Sequence, residues 1–468
     1  MPSGGDNVLT IHTNDGTERF RIDSSGNVKV GSAATISPDG DVFFTGVCTA
    51  TTLSGAASGL TGALPAISAA NLTNVPAANV VGVHTSLTVT NATTTGTAVV
   101  GGGVTISESG IEASGIGITC ANINGTQIGG RRNLIINGAM QIAQRGTSFT
   151  DPTGTPYTLD RFAMQNNSGT PAFNVTQDSD APHGFNKSLK VACTTADASP
   201  AAGSISRVFQ YIEAQNMQGL AKGTSSAKPC TLSFYVKTNK TGLYTVFVFD
   251  ADNTRLMSGS YTVSNTDWNR YTILIPADTT GVLDNGNGQG FGIFWGLSLG
   301  SDRTSGSLQS SFGSYAISNE HAGNVNFADN TSNVWAITGV QLEVGSVATD
   351  FEHRSFGQEL ALCQRYFTKV RGGIGCCDDD GVTCNGVLRY KPMRANPSVS
   401  KGTGSTYNYG NMINTGFTST ATPSLFRNDG TLGYSAYKLS GFSGLVTGAA
   451  LRDEGQGSSA TFDLDAEL

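Results

Sequence analysis

The chain reads as all-β, with a slender N-terminal segment, then a β-sandwich, then a small β-rich end that includes one short helix. Three observations point there. Charged residues make up only 13% and Gly numbers 60, against a usual charged content of about 25%. Apolar residues alternate at period two in many short runs, the pattern of half-buried strands. Gly-, Asn- and Asp-rich clusters separate those runs, as tight turns require.

The first strands are Leu9 to Ile11, Phe20 to Ile22 and Val28 to Val30. Asp15-Gly16 and Ser25-Gly26-Asn27 supply the turns between them. Residues 1–35 are thus a β-hairpin region, and they are assigned to attachment. The composition then changes. No Phe, Tyr or Trp lies between Thr45 and Gly130, and no Lys or Arg between Val30 and Gly130. Small apolar side chains alone cannot bury enough surface to offset chain entropy in a lone copy. Such a segment needs a core shared with sister chains. Residues 36–132 are therefore expected to form a trimeric fibre shaft, a β-prism or triple β-helix. Pro65 and Pro76 exclude a continuous helix there. A flexible low-complexity linker is the plainer alternative.

Aromatic residues return after Asn133. Strand-like runs at Cys230–Lys237, Leu243–Phe249, Trp268–Ile275, Phe291–Leu299 and Val334–Glu343 are spaced as in a sandwich over 133–354. One helix is predicted from Phe356 to Phe367, inside 355–370, on the spacing of Leu360, Cys363, Tyr366 and Phe367. Ser355 and Gln358 form a capping-box pattern before it. A β-rich domain fills 371–468, and its acidic tail from Ala460 is expected to fray.

Net charge is −7, which argues against a nucleic-acid partner. No apolar window reaches the roughly 18 residues of a membrane span. The opening Met-Pro-Ser-Gly-Gly-Asp lacks the pattern of a secretory signal, as suits assembly in a cytoplasm. The eight cysteines are scattered, and most read as buried free thiols.

Catalytic signatures are missing. There is no Gly-x-Ser-x-Gly or His-Glu-x-x-His, and none of the five His sits in a catalytic context. Asp250 with Asp252, and the run Asp378–Asp380, read as solvated turns rather than the paired carboxylates of a glycosidase. The Cys376-Cys377…Cys384 cluster has poor chelate spacing. Asp284, Asn285, Asn287 and Asp302 offer oxygens for Ca²⁺, but in no diagnostic spacing. For sugar binding, aromatic faces beside amides are wanted on exposed loops. Tyr407, Asn408, Tyr409 and Asn411 fit best, with the ambiguous Trp295 next; Trp268 and Trp335 read as core.

Four motifs carry a resemblance. Asn133-Leu-Ile-Ile-Asn-Gly-Ala-Met-Gln-Ile-Ala-Gln-Arg-Gly146 comes first, then Tyr157-Thr-Leu-Asp-Arg-Phe162, then Thr338-Gly-Val-Gln-Leu-Glu343, then Cys363-Gln-Arg-Tyr-Phe367. In that order they resemble a jelly-roll module of bacteriophage tail-fibre and receptor-binding proteins. Gly16–Val28 and Pro392–Pro397 are also similar to segments of phage fibre proteins. The resemblance implies a homotrimeric virion fibre with a carbohydrate-binding-module-like jelly roll, bound to other tail or adaptor proteins. It further implies adsorption to a host polysaccharide and no enzymatic activity. A head-attached or linker fibre, and a capsule depolymerase, are the alternatives. Within the motifs, Asp160 with Arg161 and Glu343 with Arg145 are expected to form scaffold ion pairs.

Overall fold

The computed structural model describes residues 8–45 except 33, short strands between 98 and 127, and residues 131–468 except 168, 373, 403–406, 412–415, 444, 446 and 454–459. The shaft expected over 36–132 therefore falls mostly outside the described residues. The chain divides into two compact units, one holding the N-terminal strands and the other holding Ile111–Leu468.

The N-terminal strands form one antiparallel meander: β1 (Leu9–His12), β2 (Glu18–Ile22), β3 (Val28–Val30), β4 (Ala34–Ile36) and β5 (Val42–Phe44). The sheet continues past residue 35 because Ile36, Val42 and Phe44 prolong the same alternation. Its turns are built as the sequence indicates. Asp15 accepts from the Thr17 amide and Asp23 from the amides of Ser25 and Asn27. The register pairs Leu9 with Ile22, Ile11 with Phe20 and Phe20 with Val30. It goes on through Val28 with Ile36, Ala34 with Phe44 and Ile36 with Val42. One face thus gathers apolar side chains from all five strands. Farther along, β6 (Ala98–Val100), β7 (Val104–Ser107), β8 (Gly110–Ala113), β9 (Asn122–Ile123) and β10 (Thr126–Gln127) are short.

Two six-stranded antiparallel sheets make the sandwich. The first orders β11 (Ser148–Thr150), β13 (Ala172–Asp178), β14 (Ser188–Thr195), β22 (Val334–Val344), β16 (Cys230–Thr238) and β19 (Asn269–Ile275). The second orders β12 (Ala163–Asn166), β15 (Ile205–Glu213), β20 (Gln289–Leu299), β17 (Gly242–Asp250), β18 (Arg255–Val263) and β21 (Gly313–Ser314). The chain changes sheet at most connections, as a jelly roll does. A one-turn helix, α1 (Ser301–Thr304), follows β20. Inward residues of both sheets meet around Trp295 and Trp335, each fully buried. Phe234 stands edge-on to Trp295 at 5.8 Å and to Tyr261 at 5.1 Å.

The recognised motifs prove structural. Asn133 donates to the Val340 carbonyl and accepts from the amides of Ile135 and Leu342. Asn137 donates to the carbonyls of Ile142 and Asp160 and accepts from the Ile142 amide. Asn133 thus ties the entry segment to β22, and Asn137 ties that segment to itself and to Asp160. A Cβ at Gly138 would lie 2.1 Å from the Val340 carbonyl oxygen, so only glycine fits there. The two expected ion pairs take other partners. Asp160 accepts from the Gln144 amide and side chain, and burial raises its pKa. Arg161 reaches Glu467, and Arg145 reaches Asp465 and Glu467. Glu343 accepts from Gln341 and Thr349 and has Arg132 at 3.9 Å. Asp160 and Arg161 are neighbours in sequence that satisfy different surroundings, so the chain's far end supplies the partner of each arginine.

Helix α2 (Phe356–Cys363) has the predicted capping box, with Ser355 and Gln358 reciprocating. It stops at Cys363, short of Phe367. Tyr366 donates to buried Glu213, and Phe367 opens β23 (Phe367–Val370). Burial would raise the Glu213 carboxyl, but Arg365 and Tyr366 hold it below the usual range. Cys363 and Tyr366 pack with Ile136 and Ile142 of the entry segment. The C-terminal strands have an aromatic-rich core of their own. A three-stranded sheet orders β23, β32 (Phe462–Asp465) and β26 (Ser398–Lys401). A seven-stranded sheet orders β28 (Gly416–Ser419), β27 (Tyr407–Asn411), β31 (Ala450–Asp453), β24 (Ile374–Cys377), β25 (Cys384–Arg389), β30 (Tyr434–Leu439) and β29 (Ser424–Asp429). The acidic tail does not fray: β32 is the central strand of its sheet, and Phe462 and Leu464 are buried. Among the described residues no helix is long and apolar enough to cross a membrane.

Candidate functional site

Alternation along the first sheet of the sandwich builds the site. On β14, Leu189, Val191 and Cys193 point inward and are buried, which turns Lys190 outward. On β16, Leu232, Phe234 and Val236 are inward, so Tyr235 and Lys237 are outward. On β22, Trp335 and Ile337 are inward and Val334 and Ala336 outward. The register sets Ala336 opposite both Lys190 and Lys237. A small side chain thus lies between two long cationic ones, which leaves a groove of about 340 Å³. Asp178, Asp180, Asn239 and Thr266 complete its walls.

The charges are paired across the groove. Lys190 donates to Asp178 at 2.8 Å and Lys237 to Asp180 at 2.8 Å. The Trp268 indole N–H donates to the other Asp180 oxygen at 3.0 Å. The loop bearing Asp180 is tied down by Ser188, which donates to the Asp180 carbonyl, and by the Asp180 amide, which donates to Asp178. Lys237 and then Trp268 hold the Asp180 carboxyl below its ordinary range. The Asp180 amide and then Lys190 do the same for Asp178. Each ammonium has three donors and uses one on its carboxylate. The groove therefore offers donors and acceptors with no net charge, and the partly buried Trp268 indole adjoins it through Asp180. Beside it, Tyr235 stands two residues before Lys237 on the same face. Phe185 packs on Tyr235 at 5.5 Å and on Phe351 at 5.0 Å, over Gly339.

The side chains singled out from sequence lie elsewhere. Tyr407 and Tyr409 occupy β27 and are buried, 1% and 0% exposed, in the C-terminal core. Tyr409 hydrogen-bonds Tyr437 at 2.5 Å, and Tyr407 donates to the Thr461 carbonyl. They alternate onto one face as expected, but that face is the interior. Asn408 and Asn411 lie on the same strand, their side chains outside the described residues. Trp295 is core, so its ring offers no face to a ligand. Trp268, read as core, is instead partly buried beside the groove, with its indole N–H on Asp180. The signal for it was local: the turn Ser264–Asp267 before it and Asn269-Arg270 after it give it polar neighbours on both sides.

The remaining candidates serve the scaffold. Asp250, expected in a solvated turn, is buried and holds the Lys222 ammonium at 2.5 Å; Asp278 holds it at 3.1 Å. Three of the four residues named for Ca²⁺ have scaffold places of their own. Asp284 accepts from Gly286, Asn287 donates to the Arg394 carbonyl, and Asp302 lies in α1. No cluster of three metal-ligating side chains occurs among the described residues. Cys193, Cys230, Cys363, Cys377 and Cys384 are buried thiols, while Cys376 is exposed. His321 is buried with Nδ1 on the Thr245 hydroxyl.

No family model matches the chain, and no curated protein matches it. Solved structures similar to it include a Bacteroides thetaiotaomicron protein described as sugar binding. It shares 12% identity, with 46% of this chain and 100% of that chain covered and a TM-score of 0.28. A CBM22-1 xylan-binding domain from Paenibacillus barcinonensis shares 8% identity, covering 47% of this chain and 100% of its own, with a TM-score of 0.23. A family 11 carbohydrate-binding module from Clostridium thermocellum shares 11%, covering 44% and 97%, again at 0.23. Similarity at these levels carries no argument about what this chain binds.

Proposed function

We propose that the chain is a non-enzymatic subunit of a homotrimeric bacteriophage fibre, assembled in the host cytoplasm, that adheres to a cell-surface polysaccharide through the groove on its sandwich. One observation carries the binding part: a groove in which two carboxylates and two ammonium groups converge on a small-residue floor, with the Trp268 indole bonded to one of those carboxylates at its edge. Sugar hydroxyls both donate and accept, and sugar rings lie against aromatic faces. A neutral, mixed lining with an indole on its rim suits them. The virion part is supported by the order of the four sequence motifs. A binder rather than a hydrolase is supported by the acid–base state of the groove. A glycosidase needs one carboxyl with a raised pKa to act as general acid, whereas Asp178 and Asp180 are both lowered.

The test is retention of the purified chain on immobilised bacterial surface polysaccharides, with reducing ends assayed in the flow-through. Trp268→Ala and Lys237→Met are expected to weaken retention about tenfold each, the scale of one well-made contact. Tyr409→Phe is expected to leave it unchanged. Sugar release would replace binding by depolymerisation, and full retention by both groove variants would move the site elsewhere.

A further inference from the structure

The hairpin of β24 and β25 sets two cysteines face to face. Its register puts Cys377 opposite Cys384. The Cys377 amide donates to the Ala449 carbonyl and the Cys377 carbonyl accepts from Gly448, so both groups turn away from β25. The next pair is bonded across the hairpin, Asp378 donating to the Thr383 carbonyl. Bonded and non-bonded pairs alternate in an antiparallel ladder, so Cys377 and Cys384 form a non-hydrogen-bonded pair. Such a pair brings its Cα atoms to about 4.5 Å with the side chains on one face, within the roughly 4.4–6.8 Å that a disulfide spans. The next pair along that face is Gly375 with Gly386, so neither strand adds a side chain beside the thiols. The Cys384 sulfur leans into the space over Gly375 on β24, 2.7 Å from where a Cβ would lie. Cys376 alternates onto the opposite face and is exposed, whereas Cys377 and Cys384 are 4% and 0% exposed.

We propose that Cys377 and Cys384 are a redox pair, two thiols in a reducing setting and a disulfide once the chain meets a low-molecular-weight disulfide as oxidant. The inference is independent of the groove and of the fibre reading. The Cys377 thiolate attacks one sulfur of the oxidant, whose S–S bond breaks as a mixed disulfide forms and one thiolate leaves. The Cys384 thiolate then attacks the Cys377 sulfur, the Cys377–Cys384 bond forms, and the second thiolate leaves. The two electrons lost by the protein reduce one molecule of oxidant, and its two thiolates take up the two protons. Burial pushes the Cys384 thiol up to about 12, and burial with the carboxylates of Asp380 and Asp378 raises Cys377. Both stay protonated while the hairpin is closed, and exchange proceeds when its turn opens. Asp380 holds that turn, accepting from the amides of Val382 and Thr383 and from the Thr383 hydroxyl. The disulfide closes a short loop, so it acts by keeping the turn shut rather than by restricting a long unfolded chain. Elsewhere Cys193 stands opposite Phe173, and Cys230 opposite Ile275 and Val344, so these stay thiols.

The test equilibrates the folded full chain with mixtures of reduced and oxidised glutathione, in urea below the unfolding transition so that the turn samples its open state. The samples are acid-quenched, alkylated in guanidinium and cut on the N-terminal side of aspartate. Cleavage at Asp378 to Asp380 separates Cys377 from Cys384, so a disulfide between them appears in the mass spectrum as two linked peptides. The link is expected in the wild type and in Cys376→Ser, whose altered side chain is exposed, and is absent from Cys384→Ser. Hydrogen exchange over residues 378–383 of Cys376→Ser is expected to slow at least about tenfold on oxidation and to recover on reduction by a phosphine. Thiols at 377 and 384 that remain alkylatable at every glutathione ratio overturn the proposal. So does a wild type that links Cys376 to Cys377 instead, or a link in Cys376→Ser that leaves exchange over 378–383 unchanged.

Discussion

The meander and the sandwich follow one rule and end in opposite states. Both are antiparallel, and both alternate apolar with polar residues along their strands. In the sandwich a second sheet lies across the apolar face, so Trp335, Phe234 and Ile337 are buried. In the meander nothing within the described residues lies there, and Ile11 and Val30 are at least half exposed. Alternation therefore fixes which side chains share a face. It does not fix whether that face becomes a core or stays exposed.

The contrast is sharpest for truncations. Trp335→Ala is expected to cost about 3–5 kcal/mol, the loss of a large buried side chain plus the cavity it leaves. Val30→Ala in the meander should change the unfolding of the sandwich by less than about 0.5 kcal/mol. Urea denaturation followed by circular dichroism reads both. Equal losses would mean that the two sheets share one cooperative core. The next effect concerns the link between the sandwich and the chain's end. Arg161 is 1% exposed and pairs with Glu467 while its guanidinium covers the Tyr366 ring at 3.5 Å. Arg161→Ala leaves buried Glu467 with Arg145 as its remaining cationic partner and uncovers the Tyr366 ring, and is expected to cost about 2 kcal/mol. A melting temperature within about a degree of the wild type would show that the tail is dispensable.

The smallest effect is a pH dependence confined to the sandwich. Burial, reinforced by the charges of Arg207 and Arg303, holds the His321 pKa well below its usual 6.5. The folded state keeps the imidazole neutral, and the unfolded chain takes up the proton. This contribution is complete above about pH 6.5 and declines as pH falls from there toward the folded value, by up to about 1.4 kcal/mol per pH unit. His321→Asn should flatten that part of the profile between about pH 7.5 and 5.5. A wild-type melting temperature that is constant over the same interval would contradict it.

Much of the fold was legible in the sequence. The first three meander strands, the sandwich runs and the capping box at Ser355 appear where local patterns put them, because period and cap chemistry are written in neighbouring residues; the last two meander strands, β4 and β5, were not read. The helix end was not legible. Tyr366 and Phe367 continue the helical spacing, yet Glu213, far away in sequence, claims the Tyr366 hydroxyl. The exposure of two tyrosines was misread for a related reason. Tyr407 and Tyr409 look like a loop platform because Asn and Gly flank them, but Phe462 packs on Tyr407 at 4.7 Å from the distant tail.

By itself, the sequence determined the all-β class, the change of texture between the aromatic-poor stretch and the aromatic-rich remainder, and the side chains that lie together on each strand. Only the tertiary structure decided which faces are closed, which distant carboxylate satisfies each buried arginine, and that Asp178, Asp180, Lys190 and Lys237 stand around one groove. The reason is physical. Strand periodicity depends on adjacent residues, whereas burial, ion pairing and concavity depend on which strand lies next to which, and that is settled by contacts between residues far apart along the chain.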